Sequence, residues 1–296
     1  MIPDDLIKKY YPTKEELEQL GKYADMECVF DDDLQIRPED IPLPVVTDNP
    51  KSAEIVETIS KIVITGEPDD FCSYIWDNID LLDSLSGIDE SVKDVIELGY
   101  KYYIARGIGA GACDFGALHY SGLIFDQNYA KAKELYEIAV DLGCPQALIN
   151  LGYIYEYGRV GEPNYEIAYE IYSRAAALIG NFEALYKLGD MYSRGKAVNK
   201  DMKAAASLWV KSYDVSENSL ERGHAAFRLA KLIISPDADK YGLEYDPLAA
   251  LNLFQEAEVG FRIEMKNGAS YYEKNMQKAI DGQEQARELL DCVLFE

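Results

Sequence analysis

The chain has 296 residues, 48% of them hydrophobic, and is therefore long enough to bury a substantial core. Its 29 basic and 53 acidic side chains give a net charge of −24, which disfavours nucleic acids and anionic membranes, because both are bound through Lys and Arg. No stretch approaches the roughly 20 apolar residues that span a bilayer, and the start of the chain has no apolar signal region. These observations predict a soluble, cytoplasmic protein.

Residues 1–50 are predicted to form a short helix followed by a long tether. Thr13 and Glu16 have the spacing of a capping box at the start of that helix. The tether contains four prolines among clustered acidic residues, a composition that interrupts helices. We interpret this segment as a linker or as a strap that lies over the helices.

Three helices are predicted between this segment and the first repeat. The first begins at Asn49-Pro50 and ends at Gly66, because proline is favoured at the first helical position and glycine at a helix end. The second covers residues 71–85, and the third runs from about Glu90 to Arg106. Apolar residues recur at helical spacing in the first two: Ile55, Ile59, Ile62, Val63, Phe71, Ile75, Ile79 and Leu82.

The third of these helices repeats part of a pattern that follows it, through Leu98, Gly99 and Tyr102. It is either a degenerate repeat or a capping helix, and the residues do not separate these two interpretations. Residues 1–108 carry 10 basic and 25 acidic side chains, a net charge of −15, against −9 for residues 109–296. The N-terminal segment therefore suits either a solvated cap or a surface that attracts a basic partner.

Three later stretches of the sequence are nearly the same. They begin at Gly116, Leu151 and Leu188, and equivalent glycines and aromatic residues follow one another at intervals of 36 and 37 residues. The equivalent positions are Gly116, Gly152 and Gly189; Gly122, Gly158 and Gly195; and Tyr136, Tyr172 and Trp209. A period of this length indicates stacked helix pairs, each of which buries its apolar face against its neighbours.

Glycine inside a helix costs about 1 kcal/mol relative to alanine, so Gly152 and Gly189 predict close contact with the paired helix. In a looser fourth unit Ala230 takes their place, and insertions enter before Arg222 and across residues 235–247. After Gly260 the pattern fades. One long polar helix is predicted from about Met265 to Leu294, as the atypical end of a repeat array.

The order of alanine, Leu-Gly, tyrosine, glycine, loop, alanine and aromatic residue resembles the Sel-one-like repeat, a relative of the tetratricopeptide repeat, over about residues 109–260. The resemblance implies an all-α fold, a right-handed superhelix of antiparallel helix pairs, and a scaffold or adaptor role without catalytic residues. It divides the chain into an acidic segment (1–108) that caps the array, four repeat units (109–260) and a C-terminal capping helix (261–296).

The sequence offers little chemistry outside the repeats. His119 and His224 are more than a hundred residues apart, so we interpret them as packing or surface residues and predict no metal, cofactor or catalytic site. The glycines at 107, 109 and 111 do not match dinucleotide-binding spacing and are expected to form a turn into the first unit. Five scattered cysteines, without a C-x-x-C pair, indicate reduced thiols. Cys113 and Cys144 open successive units, but the sequence does not show their distance.

Binding residues follow from the related tetratricopeptide geometry, in which first helices line the concave face. Carried over by position, they are Gln146, Ile149, Tyr153, Glu156, Tyr157, Glu183, Tyr186, Asp190, Arg194, His224, Phe227 and Lys231. Clustered tyrosines with an arginine suit a protein interface, although each tyrosine could equally pack between helices. The leading hypothesis is a scaffold whose groove binds a protein or peptide. The alternative is an acidic inhibitor, or nucleic-acid mimic, that neutralises a basic enzyme.

Overall fold

The computed structural model describes residues 45, 47–66, 68–266 and 270–295, and in these ranges the regular structure is entirely helical. The described residues fall into two compact units, one that ends at Asn164 and one that begins at Tyr165. The predicted helix after Thr13 and nearly all of the predicted tether lie outside the described residues. The all-α class predicted from the repeats is confirmed.

The N-terminal unit contains seven helices in its described part. They are α1 (Ala53–Thr65), α2 (Pro68–Asp77), α3 (Ile79–Ser86), α4 (Glu90–Ala105), α5 (Gly109–Ser121), α6 (Tyr129–Asp141) and α7 (Gln146–Glu156). Helix α4 packs on α1 and on α5, which joins the N-terminal helices to the first repeat. Phe71 contacts Tyr100 edge to face at 4.9 Å, and Tyr100 stacks on Phe115 at 5.2 Å, so aromatic rings continue from α2 through α4 to α5.

Two of the predicted N-terminal boundaries are wrong. Helix α1 begins at Ala53, because Asn49 and Pro50 form a turn in which the Asn49 side chain accepts the Lys51 N–H at 3.0 Å. The single helix predicted over residues 71–85 is two helices that meet at Asn78. There the backbone leaves helical geometry (φ −115°, ψ 17°), and the Asn78 amide donates to the Tyr74 carbonyl at 2.8 Å.

A glycine that faces an aromatic ring recurs along the chain. A Cβ at Gly116 of α5 would lie 2.7 Å from the Tyr136 ring of α6, a distance that real Cβ atoms do not show. At the turn into α5, Gly107 has a left-handed backbone (φ 77°), but Gly109 and Gly111 lie inside the helix, which corrects the prediction that all three form the turn. Packing against α6 requires Gly109, since a Cβ there would be 3.0 Å from the Ala139 carbonyl.

The C-terminal unit contains six described α-helices. They are α8 (Tyr165–Ile179), α9 (Phe182–Arg194), α10 (Met202–Val215), α11 (Ser219–Ile233), α12 (Pro247–Lys266) and α13 (Glu273–Phe295). The predicted contact of Gly189 is confirmed, because a Cβ there would overlap the Trp209 indole of α10. In the fourth unit Ala230 shares one buried cluster with Phe254. The C-terminal boundary was predicted wrongly: α12 continues to Lys266, and the last helix begins only at Glu273, after a 3-10 turn over Ser270–Tyr272.

Candidate partner-binding surface

The predicted binding residues of the C-terminal unit lie on α9 and α11, which are the first helices of the third and fourth repeats. Three of them, Tyr186, Asp190 and His224, are buried. The Tyr186 ring stacks on the His224 ring with centroids 4.8 Å apart, and the Phe261 ring meets the His224 ring edge to face at 5.3 Å. The expectation that Tyr186 and His224 face an open groove is therefore corrected, because their rings join α9, α11 and α12.

Buried Asp190 and half-buried Arg228 form an ion pair beside these rings. The Arg228 Nη2 donates to Asp190 Oδ2 at 2.6 Å, its Nε donates to Oδ1, and its Nη1 donates to the His224 carbonyl at 2.7 Å. Burial alone would raise the pKa of the Asp190 carboxyl, but the Arg228 guanidinium outweighs that effect and holds the pKa below its ordinary value. These charge-assisted hydrogen bonds link α9 to α11.

A cavity of about 450 Å³ opens next to this ion pair. Helices α9, α10, α11 and α13 supply its lining, which consists of Asp190, Ser193, Arg194, Met202, Trp209, Phe227, Arg228, Lys231, Leu232, Asn275 and Lys278. Four of the predicted binding residues, Asp190, Arg194, Phe227 and Lys231, therefore meet at one cavity. Its volume lies in the range of pockets that hold a small molecule or one side chain of a partner.

The charge at this cavity is opposite to that of the chain as a whole. Arg194, Lys231 and Lys278 are exposed at it, and Asp190 is the single acid among the described lining residues. Asp190 is already paired with Arg228, and Arg194 Nη2 also lies 3.5 Å from Asp190 Oδ2. The cavity therefore combines a positive rim with aromatic and apolar walls from Trp209, Phe227 and Leu232.

Sequence reasoning missed several residues at this cavity. Arg228 lies one helical turn after His224 and so on the same face, a spacing that could have identified it. Trp209 belongs to a second helix and was assigned only to packing, whereas Asn275 and Lys278 come from α13. No repeat position predicts the last two, because α13 follows the repeats.

The predicted residues of the N-terminal unit lie on α7 and the residue after it, and they form a different surface. Ile149 and Glu156 are buried, which corrects the expectation that they face a groove, while Gln146 and Tyr157 are exposed. Tyr153 stacks on Tyr157 with centroids 5.8 Å apart. Glu183, on α9 of the other unit, is half-buried and lies 3.4 Å from the Tyr186 hydroxyl.

Arg159 organises the tyrosines of the N-terminal unit. Its guanidinium carbon lies 5.1 Å from the centre of the Tyr129 ring, 5.6 Å from that of Tyr120 and 5.5 Å from that of Tyr157. Its Nε also donates to the Tyr120 hydroxyl at 3.1 Å. The arginine is thus bound by rings of its own unit, in an arrangement typical of cation–π contacts.

A second hollow, of about 1050 Å³, lies beside the loop between α9 and α10. Glu166, Tyr192, Lys200 and Tyr241 are among its lining residues, and none of the predicted binding residues is. The smaller cavity, which four of the predicted binding residues line, is therefore the candidate site.

The residues weighed for other chemistry have structural roles. His119 packs between Phe115 and Phe125 at 4.8 and 5.1 Å, and its burial lowers its pKa. Within the described part of the chain, no group of three His, Cys, Asp or Glu side chains is placed to bind a metal ion. Similarly, none of the helices described is both long and apolar enough to cross a membrane.

Repeated helix pairs, in which a glycine packs against an aromatic ring of the next helix, place this chain in the class of helical repeat proteins. The Sel1 repeat model matches this chain four times, at residues 110–144, 145–178, 182–214 and 223–258. The chain belongs to the Sel1-like repeat family, whose repeats generally serve as scaffolds for protein interactions.

Two solved structures illustrate the likeness. A Sel1 repeat protein from Oxalobacter formigenes is 20% identical, with 79% of this chain and 95% of that chain covered and a TM-score of 0.50, which supports the shared fold. The protein c5321, described as a protective antigen of uropathogenic Escherichia coli with an SLR fold, is also 20% identical. That match covers 97% of this chain and 64% of that chain, with a TM-score of 0.48. No curated protein matches the sequence.

Proposed function

We propose that this protein is a non-enzymatic scaffold that binds a segment of another protein on α9 and α11, with one side chain of the partner in the 450 Å³ cavity. The observation that carries the proposal is the meeting of four repeat-predicted residues at a cavity with aromatic walls. Buried aromatic anchors in pockets supply most of the affinity of protein interfaces.

The chemistry of the cavity favours an acidic partner segment with an apolar anchor. Arg194, Lys231 and Lys278 provide positive charge on a chain whose net charge of −24 repels acidic molecules elsewhere. Trp209 and Phe227 provide the apolar surface that an aliphatic or aromatic side chain would cover. Charge at the rim would guide and orient the partner, and the apolar contact would retain it.

A random 12-residue peptide display selection on the full chain tests this proposal. Selected peptides should contain Asp or Glu next to a large apolar residue. In fluorescence anisotropy, their affinity should fall on the order of tenfold or more for the Lys231→Glu/Lys278→Glu variant, because two attractive charges become repulsive. Both side chains are exposed, so the fold should be unaffected.

The matched control is Lys203→Glu/Lys211→Glu. It changes two exposed lysines of the same unit and shifts the net charge equally, but neither residue lines the candidate cavity. Selected peptides should bind this control like the wild type. Equal losses of peptide affinity in both variants would mean that only the net charge matters and would contradict the proposal. No loss of affinity in either variant would show that the peptides bind elsewhere.

The rival proposal, an acidic inhibitor of a basic partner, is supported by the net charge of −15 in residues 1–108. Association of this kind weakens steeply as salt is added, because exposed charges are screened. Binding of a basic probe such as poly-lysine should then fall sharply between low and physiological salt, and deletion of residues 1–44 should reduce it. Affinity that does not change with salt would reject this rival.

A cytoplasmic setting is part of the proposal. It is supported by the three described cysteines, Cys72, Cys113 and Cys144, which are free thiols in the structure. Fractionation of the native cells checks it, and recovery of the full chain outside the cytoplasm would contradict it.

A further inference from the structure

Two thiols of the N-terminal unit lie in direct contact although they are 31 positions apart in the sequence. Cys113 is buried in the second turn of α5, and Cys144 lies in the short connection between α6 and α7. The two thiols share a hydrogen bond. Their contact therefore joins the first helix of the first repeat to the last residue of that repeat, immediately before α7.

Neighbouring groups position the Cys113 thiol and the Cys144 backbone. The Asn150 side chain on α7 donates to the Cys113 Sγ at 3.4 Å. The Cys144 N–H donates to the Ala139 carbonyl at 2.8 Å, and Gly143 before it has a left-handed backbone (φ 78°), which turns the chain out of α6. Gly109, one turn before Cys113, packs closely against Leu142, two residues before Cys144, so the two segments that carry the thiols lie side by side.

Cys144 has the environment of a nucleophilic thiol and Cys113 that of a resolving thiol. The hydrogen bond from Cys113 and the backbone N–H groups of Ala147 and Gln146 at the start of α7 lower the pKa of Cys144 to about 7. The same hydrogen bond and burial raise the pKa of Cys113, which stays protonated. Cys144 is also partly exposed, so a small molecule can reach it.

The other groups that face the pair are few. From α5, Asp114 opposes ionisation of both thiols, and from α6, Tyr136 lies near Cys113. The remaining described cysteine, Cys72, is hydrogen-bonded to Asp114 instead, and burial raises its pKa. Cys72 therefore serves as the unreactive comparison within the same unit.

We propose that Cys113 and Cys144 form a reversible intramolecular disulfide by exchange with a low-molecular-weight disulfide such as oxidised glutathione. The Cys144 thiolate attacks one sulfur of oxidised glutathione, the S–S bond breaks, and one glutathione leaves as a thiolate that takes up a proton. Cys113 then loses its proton to solvent and attacks the Cys144 sulfur, which releases the second glutathione. The two cysteines are oxidised by two electrons, and one oxidised glutathione is reduced to two thiols.

The bond would tie α5 covalently to the connection between α6 and α7, and the two thiols already share a hydrogen bond. Exchange would thus respond to the ratio of reduced to oxidised glutathione without a large rearrangement. This proposal is independent of the partner-binding surface, which lies in the other unit.

Incubation of the full chain with oxidised glutathione at neutral pH, followed by alkylation and peptide mapping, tests the proposal. In the wild type, the peptides of Cys113 and Cys144 should be recovered joined. The Cys113→Ser variant should instead keep glutathione on Cys144, and Cys144→Ser should leave Cys113 unmodified. Cys72→Ser is the matched control and should behave as the wild type.

Two measurements on the wild type alone also test whether this disulfide forms. Cys144 of the wild type should be alkylated on the order of tenfold or more faster than Cys72, at a rate that levels off above about pH 7. Recovery of both thiols free after full equilibration with oxidised glutathione would overturn the proposal. So would a stable glutathione adduct on Cys144 of the wild type, since Cys113 would then not resolve it.

Discussion

The first helices of the two units carry the same repeat pattern but present different chemistry. In the N-terminal unit, Tyr120, Tyr129 and Tyr157 surround the one guanidinium of Arg159, so the cation is bound by rings of its own unit. In the C-terminal unit, the ion pair of Asp190 and Arg228 lines a cavity that also has three exposed cationic side chains at it. The repeat determines where neighbouring helices contact each other. The residues between those contacts can differ, so that the cation of one surface is bound by its own unit and the cations of the other surface face a cavity.

Removal of Arg228 should have the largest effect on this contrast. Arg228→Ala leaves Asp190 buried without its guanidinium, which typically costs about 3–5 kcal/mol of unfolding free energy. Urea unfolding followed by Trp209 fluorescence, in a Trp76→Phe background, reports the C-terminal unit. The double variant Asp190→Leu/Arg228→Met should recover most of the lost unfolding free energy, since apolar residues need no partner. If it does not, the ion pair itself stabilises the fold, beyond neutralising the Asp190 charge.

A methyl group at the glycine positions should destabilise both units. Gly189→Ala places a Cβ against the Trp209 indole and disturbs its hydrogen bond to the Tyr186 carbonyl (3.2 Å), at a cost of about 1–3 kcal/mol. Gly116→Ala against Tyr136 should cost a similar amount in the N-terminal unit. The control is Gly87→Ala, where the nearest atom to a Cβ is 3.7 Å away and stability should not fall. A neutral Gly189→Ala would mean that the indole moves aside.

Acid should weaken the C-terminal unit through Asp190. The pKa of this carboxyl is lower in the folded chain than its ordinary value of 3.8, so it stabilises the fold above that pH. The stabilisation is lost as the pH falls below about 4 and through the folded pKa. Unfolding free energies of the wild type should thus decline more steeply with acid than those of Asp190→Leu/Arg228→Met. Parallel curves would show that Asp190 is not the carboxyl responsible.

The smallest effect is expected at the tyrosine surface. Arg159→Ala removes an exposed cation from three rings and should cost about 0.5–1 kcal/mol in the N-terminal unit. It should leave peptide binding at the 450 Å³ cavity unchanged. Arg174→Ala, an exposed arginine on α8, is the control and should have no measurable effect on either. A loss of peptide affinity in Arg159→Ala would show that the two surfaces act together.

Residue spacing predicted the repeat helices and the approach of a glycine to an aromatic ring within a repeat. Gly116, Tyr136, Gly189 and Trp209 were identified as equivalent positions because a 36-residue period repeats the same steric requirement. The breaks at Asn78 and before Glu273 were missed, since apolar spacing continues through both and a single polar residue or a short turn interrupts the helix. Periodicity reports what is buried, and it is weak evidence of where a helix stops.

The sequence alone determined the repeat, the helix pairs and four of the cavity residues, because these depend on local spacing along a helix. Only the tertiary structure decided which predicted surface residues are buried, that Arg228 pairs with Asp190, and that Cys113 meets Cys144. These contacts join residues 31 to 38 positions apart. They depend on how neighbouring helices are placed, and no pattern within one helix encodes that.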